Sequence, residues 1–252
     1  MKNIILEKIN ELETNHDIRI LFAIESGSRA WGFPSPDSDY DVRFVYARPR
    51  DWYLKINEES DVVDLPVNEV LDINGWDIQK ALRLLVKSNA VIFEWMQSPI
   101  IYKQDGEFLS EFSQIAPKSF SPIAAIHNYL SMAKKKYEEC MNEEEVKLKR
   151  YMYCLRAILS GLWIAHRKSV PPMELELLLV EMPDAPLKEK VHELIKLKAT
   201  TEESYRHPHE LGLESFLSAA IAECEAIAPQ LPSQKSDIEL LNNFFRKTLR
   251  TK

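Results

Sequence analysis

The sequence predicts an α+β fold: an N-terminal domain with a mixed sheet and helices over residues 1–115, then an all-helical domain over 116–252. Three observations predict it. Two segments of strand character, IRILFAIES and residues 39–46, sit among helical ones in the first hundred residues. From Ser121-Pro122 onward the pattern is helical, punctuated by prolines. A length of 252 residues, 45% hydrophobic and 28% charged, suffices for two modest cores.

Ile5, Ile9 and Leu12 fall at i, i+4 and i+7, giving an N-terminal helix one apolar face. Asn15-His16-Asp17 is a turn, and IRILFAIES is a continuous apolar strand. Gly27-Ser28 ends that strand, and SRAWG is long enough for one helical turn. Residues 39–46 then alternate, with Asp39, Asp41, Arg43 and Val45 on one face and Tyr40, Val42, Phe44 and Tyr46 on the other. Residues 47–60 form a charged loop. DVVDLPVNEVLDI reads as one strand broken at Pro66, or as two. Asn74-Gly75 is expected to end it, and WDIQKALRLLVKS to begin a helix with Asp77 in its first turn. Further helices are expected over 122–141, 144–168, 186–198, 212–229 and 236–250. They are separated at Pro171-Pro172, Pro183, Pro208 and the Pro229–Pro232 stretch, with no strand pattern of comparable strength among them.

A formal net charge of -7 argues against a surface coated in basic residues for sequence-blind nucleic-acid binding, while leaving room for a local basic groove. Cys140, Cys154 and Cys224 are odd in number and widely spaced, which fits reduced thiols and neither a disulfide framework nor a zinc site. The N-terminus has helical spacing of apolar and charged residues, unlike a signal peptide, and no run nears the ~18 apolar residues of a membrane span. The expectation is a cytoplasmic protein with no membrane partner.

Chemistry concentrates between Glu25 and Tyr46. On a strand, residues i and i+2 point the same way with α-carbons ~6.5–7 Å apart. Asp39 and Asp41 would therefore present two carboxylates on one face, while Asp37 stays in the preceding turn. Such a pair suits Mg²⁺, which is held by one or two carboxylates plus water and substrate phosphate oxygens. Gly27 and Ser28, between a strand and a short helical turn, would offer backbone N–H groups and a hydroxyl to phosphate, with Arg29 adding a cation.

Gly27-Ser28, a gap of ten residues and then Asp39-Tyr40-Asp41 resemble the signature of the DNA polymerase β nucleotidyltransferase superfamily. The strings GSRAWGFPSPDSDYDVR, LDINGWDIQKALRLL and IFEWMQSPIIY are similar to its RNA-repair-pathway branch. The resemblance covers residues 20–105 well and the helical remainder loosely. It implies a small mixed sheet, two Mg²⁺ (or Mn²⁺) ions, a nucleoside triphosphate donor with ATP foremost, and a third carboxylate on a neighbouring strand. Asp64 and Asp72 both fit strand alternation; the family pattern favours Asp72, whose strand feeds the next helix. Asp39, Asp41 and Asp72 are then the implied catalytic and metal-binding residues, and Gly27 and Ser28 hold the phosphates. The implied reaction is nucleotidyl transfer to a hydroxyl acceptor, with RNA first. The alternatives are a protein or small-molecule hydroxyl, and, in another class, a nucleotide-binding protein with a dead catalytic site.

In the helical half, Lys149, Tyr153 and Arg156 fall at i, i+4 and i+7. This stripe could clamp a triphosphate and stack on a base. A solvated face with a half-buried tyrosine is the competing reading, and the family context tips the balance towards nucleotide binding. Lys134-Lys135-Lys136 and Arg246, Lys247 and Arg250 read as ordinary exposed charge. His207-Pro-His209 reads as a polar loop, and Trp31 and Trp76 as packing residues.

Overall fold

In a computed structural model, residues 1–57, 59–65 and 70–250 are described; Pro66, and with it the expected strand break, lies outside them. In chain order, the elements of the first part are α1 (Lys2–His16), β1 (Arg19–Glu25), α2 (Gly27–Trp31), β2 (Tyr40–Ala47), β3 (Val62–Asp64), β4 (Leu71–Asp77), α3 (Ile78–Val86), α4 (Ala90–Trp95), β5 (Ile101–Gln104) and α5 (Gly106–Ile115). There follow α6 (Pro122–Met141), β6 (Val146–Lys147), α7 (Leu148–Arg167), α8 (Leu175–Leu178), α9 (Ala185–Lys198), β7 (Arg206–His207), α10 (Leu211–Ile227) and α11 (Ile238–Thr248). The fold is thus α+β, with a mixed sheet and helices followed by a helical part.

The chain divides into two compact units. The first contains residues 1–27, 39–120 and 235–252; the second contains 28–38 and 121–234. The sequence reading placed all of 116–252 in the helical domain and 28–38 in the N-terminal one.

The first unit is built on a five-stranded sheet in the order β3-β4-β2-β1-β5. Among the described strands of this sheet, only β2 and β4 pair in parallel; β1 pairs antiparallel with β2 and β5, and β3 with β4. The expected apolar faces account for the packing. Ile5, Ile9 and Leu12 of α1 cluster with Ile20 and Ala23 of β1, Val42, Phe44 and Tyr46 of β2, and Ile73 of β4. Phe22 instead meets the rings of Phe108 and Phe112, at centroid separations of 6.1 and 6.5 Å. Phe244 of α11 stacks on Phe112 at 5.7 Å, which carries the C-terminal helix into this unit.

One boundary differs from the sequence reading. Asn74-Gly75 does not end the strand but lies inside β4, and α3 starts at Ile78. The reason is local packing. A Cβ on Gly75 would lie 2.1 Å from the Phe44 ring, so glycine here permits close approach of the two strands' contents and is no turn signal. Asp77 is correspondingly the cap of α3, accepting a hydrogen bond from Gln79 N–H at 2.7 Å, and not a residue within its first turn. Burial pushes its carboxyl above the usual carboxylate range, and Tyr53 Oη donates to it at 2.8 Å.

The second unit is helical, with α6, α7 and α10 as its body. The sequence reading missed its two-residue strands, β6 and β7, which pair antiparallel. They are too short to show a period. All three cysteines are buried and free. Among the described residues no helix is long and apolar enough to cross a membrane.

Candidate active site

Each unit carries its own cluster of predicted site residues, and the first unit's is acidic. Parallel pairing places Asp41 of β2 in register with Asp72 of β4. Asp64 of β3 instead pairs with Asn74, two residues further along β4, and is exposed. The two candidates left open by alternation thus differ in position: Asp72 is directly beside Asp41. Asp39 is exposed and lies one residue before β2 begins, so strand geometry does not govern where it points.

Arg43, two residues after Asp41 and hence on its side of β2, spans both strands. One terminal nitrogen donates to Asp41 Oδ1 at 3.0 Å and to Asp72 Oδ2 at 2.6 Å. The other donates to the backbone carbonyls of Val42 at 3.0 Å and Asp72 at 3.1 Å. A planar guanidinium with several fixed donors suits such a bridge, where a lysine would reach fewer acceptors.

Asp41 is gripped from β1 as well. Its backbone N–H donates to Glu25 Oε1 at 2.9 Å, and its carbonyl accepts from Ser26 N–H at 2.8 Å. Glu25 is fully buried at the end of β1, and Tyr102 Oη donates to its other carboxylate oxygen. Gly27 closes the grip. It has a φ of +60°, and a Cβ there would lie 1.9 Å from Asp41 Oδ2. Glycine is required twice over, by backbone conformation and by the carboxylate against it.

The donor chemistry of Asp41 and Asp72, all carboxylate oxygen, fits a hard divalent cation. Among the described residues, however, no three His, Cys, Asp or Glu side chains are grouped to hold a metal ion. Two of the three expected ligands meet, and they meet around a guanidinium.

The second unit's cluster joins the loop after α2 to the segment after α9. Ser38 Oγ accepts from Ser28 Oγ at 3.2 Å and Ser35 N–H at 2.9 Å, and donates to Glu203 Oε1 at 2.8 Å. Lys149 Nζ donates to Glu203 Oε2 at 2.7 Å. Burial pushes the Glu203 carboxyl up, but the bonds from Lys149 and Ser38 outweigh it and hold it below the usual range. Arg29 donates to Ser38 O at 2.6 Å. Asp37, which the sequence leaves as a bystander in the turn, accepts the Glu203 N–H at 2.9 and 3.1 Å. Lys198 is buried and donates to Ser35 Oγ at 2.8 Å; burial lowers the pKa of its amine.

The Lys149–Tyr153–Arg156 stripe is a real face of α7, but its members differ in environment. Tyr153 meets Trp31 edge to face at 5.2 Å. Arg156 is 2% exposed, its guanidinium 4.3 Å from the Trp31 ring centre and its Nε donating to Met173 O at 3.0 Å. Lys149 remains partly exposed. Of the segment expected as a polar loop, His207 ends β7 and His209 follows it, bonded to Glu214 and to the Glu143 carbonyl.

Sequence reasoning missed Glu25, Glu203 and Lys198. Glu25 lay at the end of an apolar run, where a lone carboxylate was a usable signal. Glu203 and Lys198 lie in ordinary charged stretches with none.

These arrangements can be set beside known proteins. An uncharacterized protein YcgL of Bacillus subtilis (strain 168) is 36% identical over 239 residues, covering 94% of this chain and 92% of that one. A solved nucleotidyltransferase-like protein from Exiguobacterium sibiricum 255-15 matches 98% of this chain and 80% of its own at 13% identity and a TM-score of 0.33, too distant to bear on the site. Residues 1–247 match the RNA repair pathway DNA polymerase beta family, RlaP. With that match spanning nearly its whole length, the chain belongs to the RNA repair pathway DNA polymerase beta family.

Proposed function

We propose that this protein is a Mg²⁺-dependent nucleotidyltransferase that moves a nucleotidyl group from a nucleoside triphosphate, ATP foremost, to an RNA hydroxyl. The observation that carries the reading is the register pairing of Asp41 with Asp72, with Gly27 packed against the Asp41 carboxylate. A flat glycine contact and two strands hold this pair where a flexible loop would let it wander. RNA as the acceptor rests on the family to which the chain belongs.

In this reading Asp41 and Asp72, joined by Asp39 from the residue before β2, would hold the divalent ions. Bound there, those ions would supply charge neutralisation for the transferring phosphoryl group and its pyrophosphate leaving group. Asp72 is assigned to accept the proton of the attacking hydroxyl. Glu25, through the Asp41 backbone, keeps the ligand strand in place. Separately, Gly27, Ser28, Arg29 and Lys149 are assigned to nucleotide phosphates, with Tyr153 and Arg156 of α7 as supporting residues. Glu203 already engages Lys149 and Ser38 through oxygen atoms, the contacts a phosphate would make.

The test is label transfer from each of the four α-labelled ribonucleoside triphosphates, with Mg²⁺, to RNA ends, candidate partner proteins and small alcohols. Transfer to RNA that disappears in Asp41→Asn and Asp72→Asn is expected. Label on protein or small alcohols alone would move the acceptor assignment, and no label on any acceptor would refute the transferase reading.

A further inference from the structure

We infer that Arg43 is the resident cation of the Asp41–Asp72 pair, and that a divalent ion binds these carboxylates only by competing with its guanidinium. The inference rests on the reading of Asp41 and Asp72 as ion ligands; it concerns what stands against that ion in the protein alone.

Two carboxylates in register on adjacent strands repel each other, and like charges placed opposite one another destabilise a sheet. One guanidinium nitrogen relieves this by touching both, at 3.0 and 2.6 Å. The second nitrogen, held by two backbone carbonyls, keeps it there. The three side chains are only partly exposed, 19% for Arg43, 29% for Asp41 and 30% for Asp72, so solvent screens the contact incompletely.

A divalent ion brings two positive charges to this pair of carboxylates where the guanidinium brings one. The oxygens it occupies, Asp41 Oδ1 and Asp72 Oδ2, are oxygens a shared ion would need. Cation and guanidinium are therefore linked: each lowers the other's affinity for the pair by the same factor. Whatever fraction of molecules has Arg43 withdrawn sets the apparent ion affinity. Arg43 is thus a positioning residue in the ion-free protein and a competitor when an ion arrives. The arrangement keeps the sheet intact without metal and raises the ion concentration needed to load it.

The test uses the full-length chain and Mn²⁺ alone, read by electron paramagnetic resonance of the free ion, with no nucleotide or acceptor. Arg43→Gln removes the charge but keeps a hydrogen-bonding side chain. It should bind Mn²⁺ about tenfold tighter or more, the equivalent of ~1.4 kcal/mol. Without metal its melting temperature should fall below the wild type's, and saturating Mn²⁺ should raise it more than it raises the wild type's. The gain in affinity should vanish in Arg43→Gln/Asp72→Asn.

Equal or weaker Mn²⁺ binding by a folded Arg43→Gln, or no Mn²⁺ binding by either protein, would overturn the inference. Should that variant fail to fold, the wild type decides by nitrogen-15 NMR of its arginine side chains during Mg²⁺ titration. Release of the Arg43 signal supports displacement, and an unmoved signal at saturation refutes it. Tighter Mn²⁺ binding by Arg43→Gln without label transfer to any acceptor would leave this inference standing while the transferase reading fails.

Discussion

Gly27 shows how much one missing methyl group can decide. Its φ of +60° and the Asp41 carboxylate beside it leave no room for a side chain. Gly27→Ala should cost roughly 1–2 kcal/mol from the left-handed backbone alone. Displacing the Asp41 carboxylate by about an ångström should reduce label transfer by roughly 10²-fold. Calorimetry and the transfer assay on the same preparation check both; full activity would mean that Asp41 need not sit where it does. Glu203 gives a pH-dependent counterpart. Its folded pKa lies below the ordinary value of 4.5, so its contribution to stability is present above that value and is lost as pH falls through the folded pKa. Glu203→Gln should therefore flatten the acid limb of a melting-temperature profile as pH falls below 4.5. An unchanged limb would assign that acid sensitivity elsewhere. The Asp-x-Asp spacing and the Gly-Ser turn were legible because they are local. The bridge from Arg43 to Asp72 was not, because 29 residues separate the partners in sequence.

At the scale of elements, strands with strict alternation and helices with a clear apolar face could be read directly. In α1 the buried residues are the expected Ile5, Ile9 and Leu12. In β2 Val42, Phe44 and Tyr46 are buried as expected, but Val45 of the opposite face is buried too and Tyr40 is only half-buried. Where a residue's local meaning was ambiguous, packing overrode it. Asn74-Gly75 carries a turn signature, yet β4 runs through it because the Phe44 ring of the next strand fills the space above Gly75. Gly75→Ala should accordingly destabilise the protein by about 1–3 kcal/mol, the usual range for overpacking. Pairing it with Phe44→Leu should recover part of that loss. Denaturant unfolding of the two variants and the double variant measures the coupling, and strict additivity would show that the two residues do not compete for the same space.

For the whole molecule, the C-terminal segment is the informative part. Residues 235–252 belong to the first unit, and α11 brings Phe244 onto Phe108 and Phe112, with centroids 5.1 and 5.7 Å away. Arg19 of β1 also donates to the Thr248 carbonyl at 2.7 Å. Phe244→Ala should cost about 3–5 kcal/mol, as buried aromatic truncations do. Hydrogen exchange should locate the loss in β1 and α5 of the first unit; a loss confined to α6, α7 and α10 would contradict this placement. By itself the sequence determined the α+β class, the main helices, the apolar faces and the two halves of the family signature, since all of these depend on periods and spacings of a few residues. Only the tertiary structure decided that Asp72 and not Asp64 stands beside Asp41, that Arg43 bridges them, and that the last helix joins the first unit. Each of these depends on which strand pairs with which and which ring fills which gap, and such contacts between distant residues leave no period in the chain.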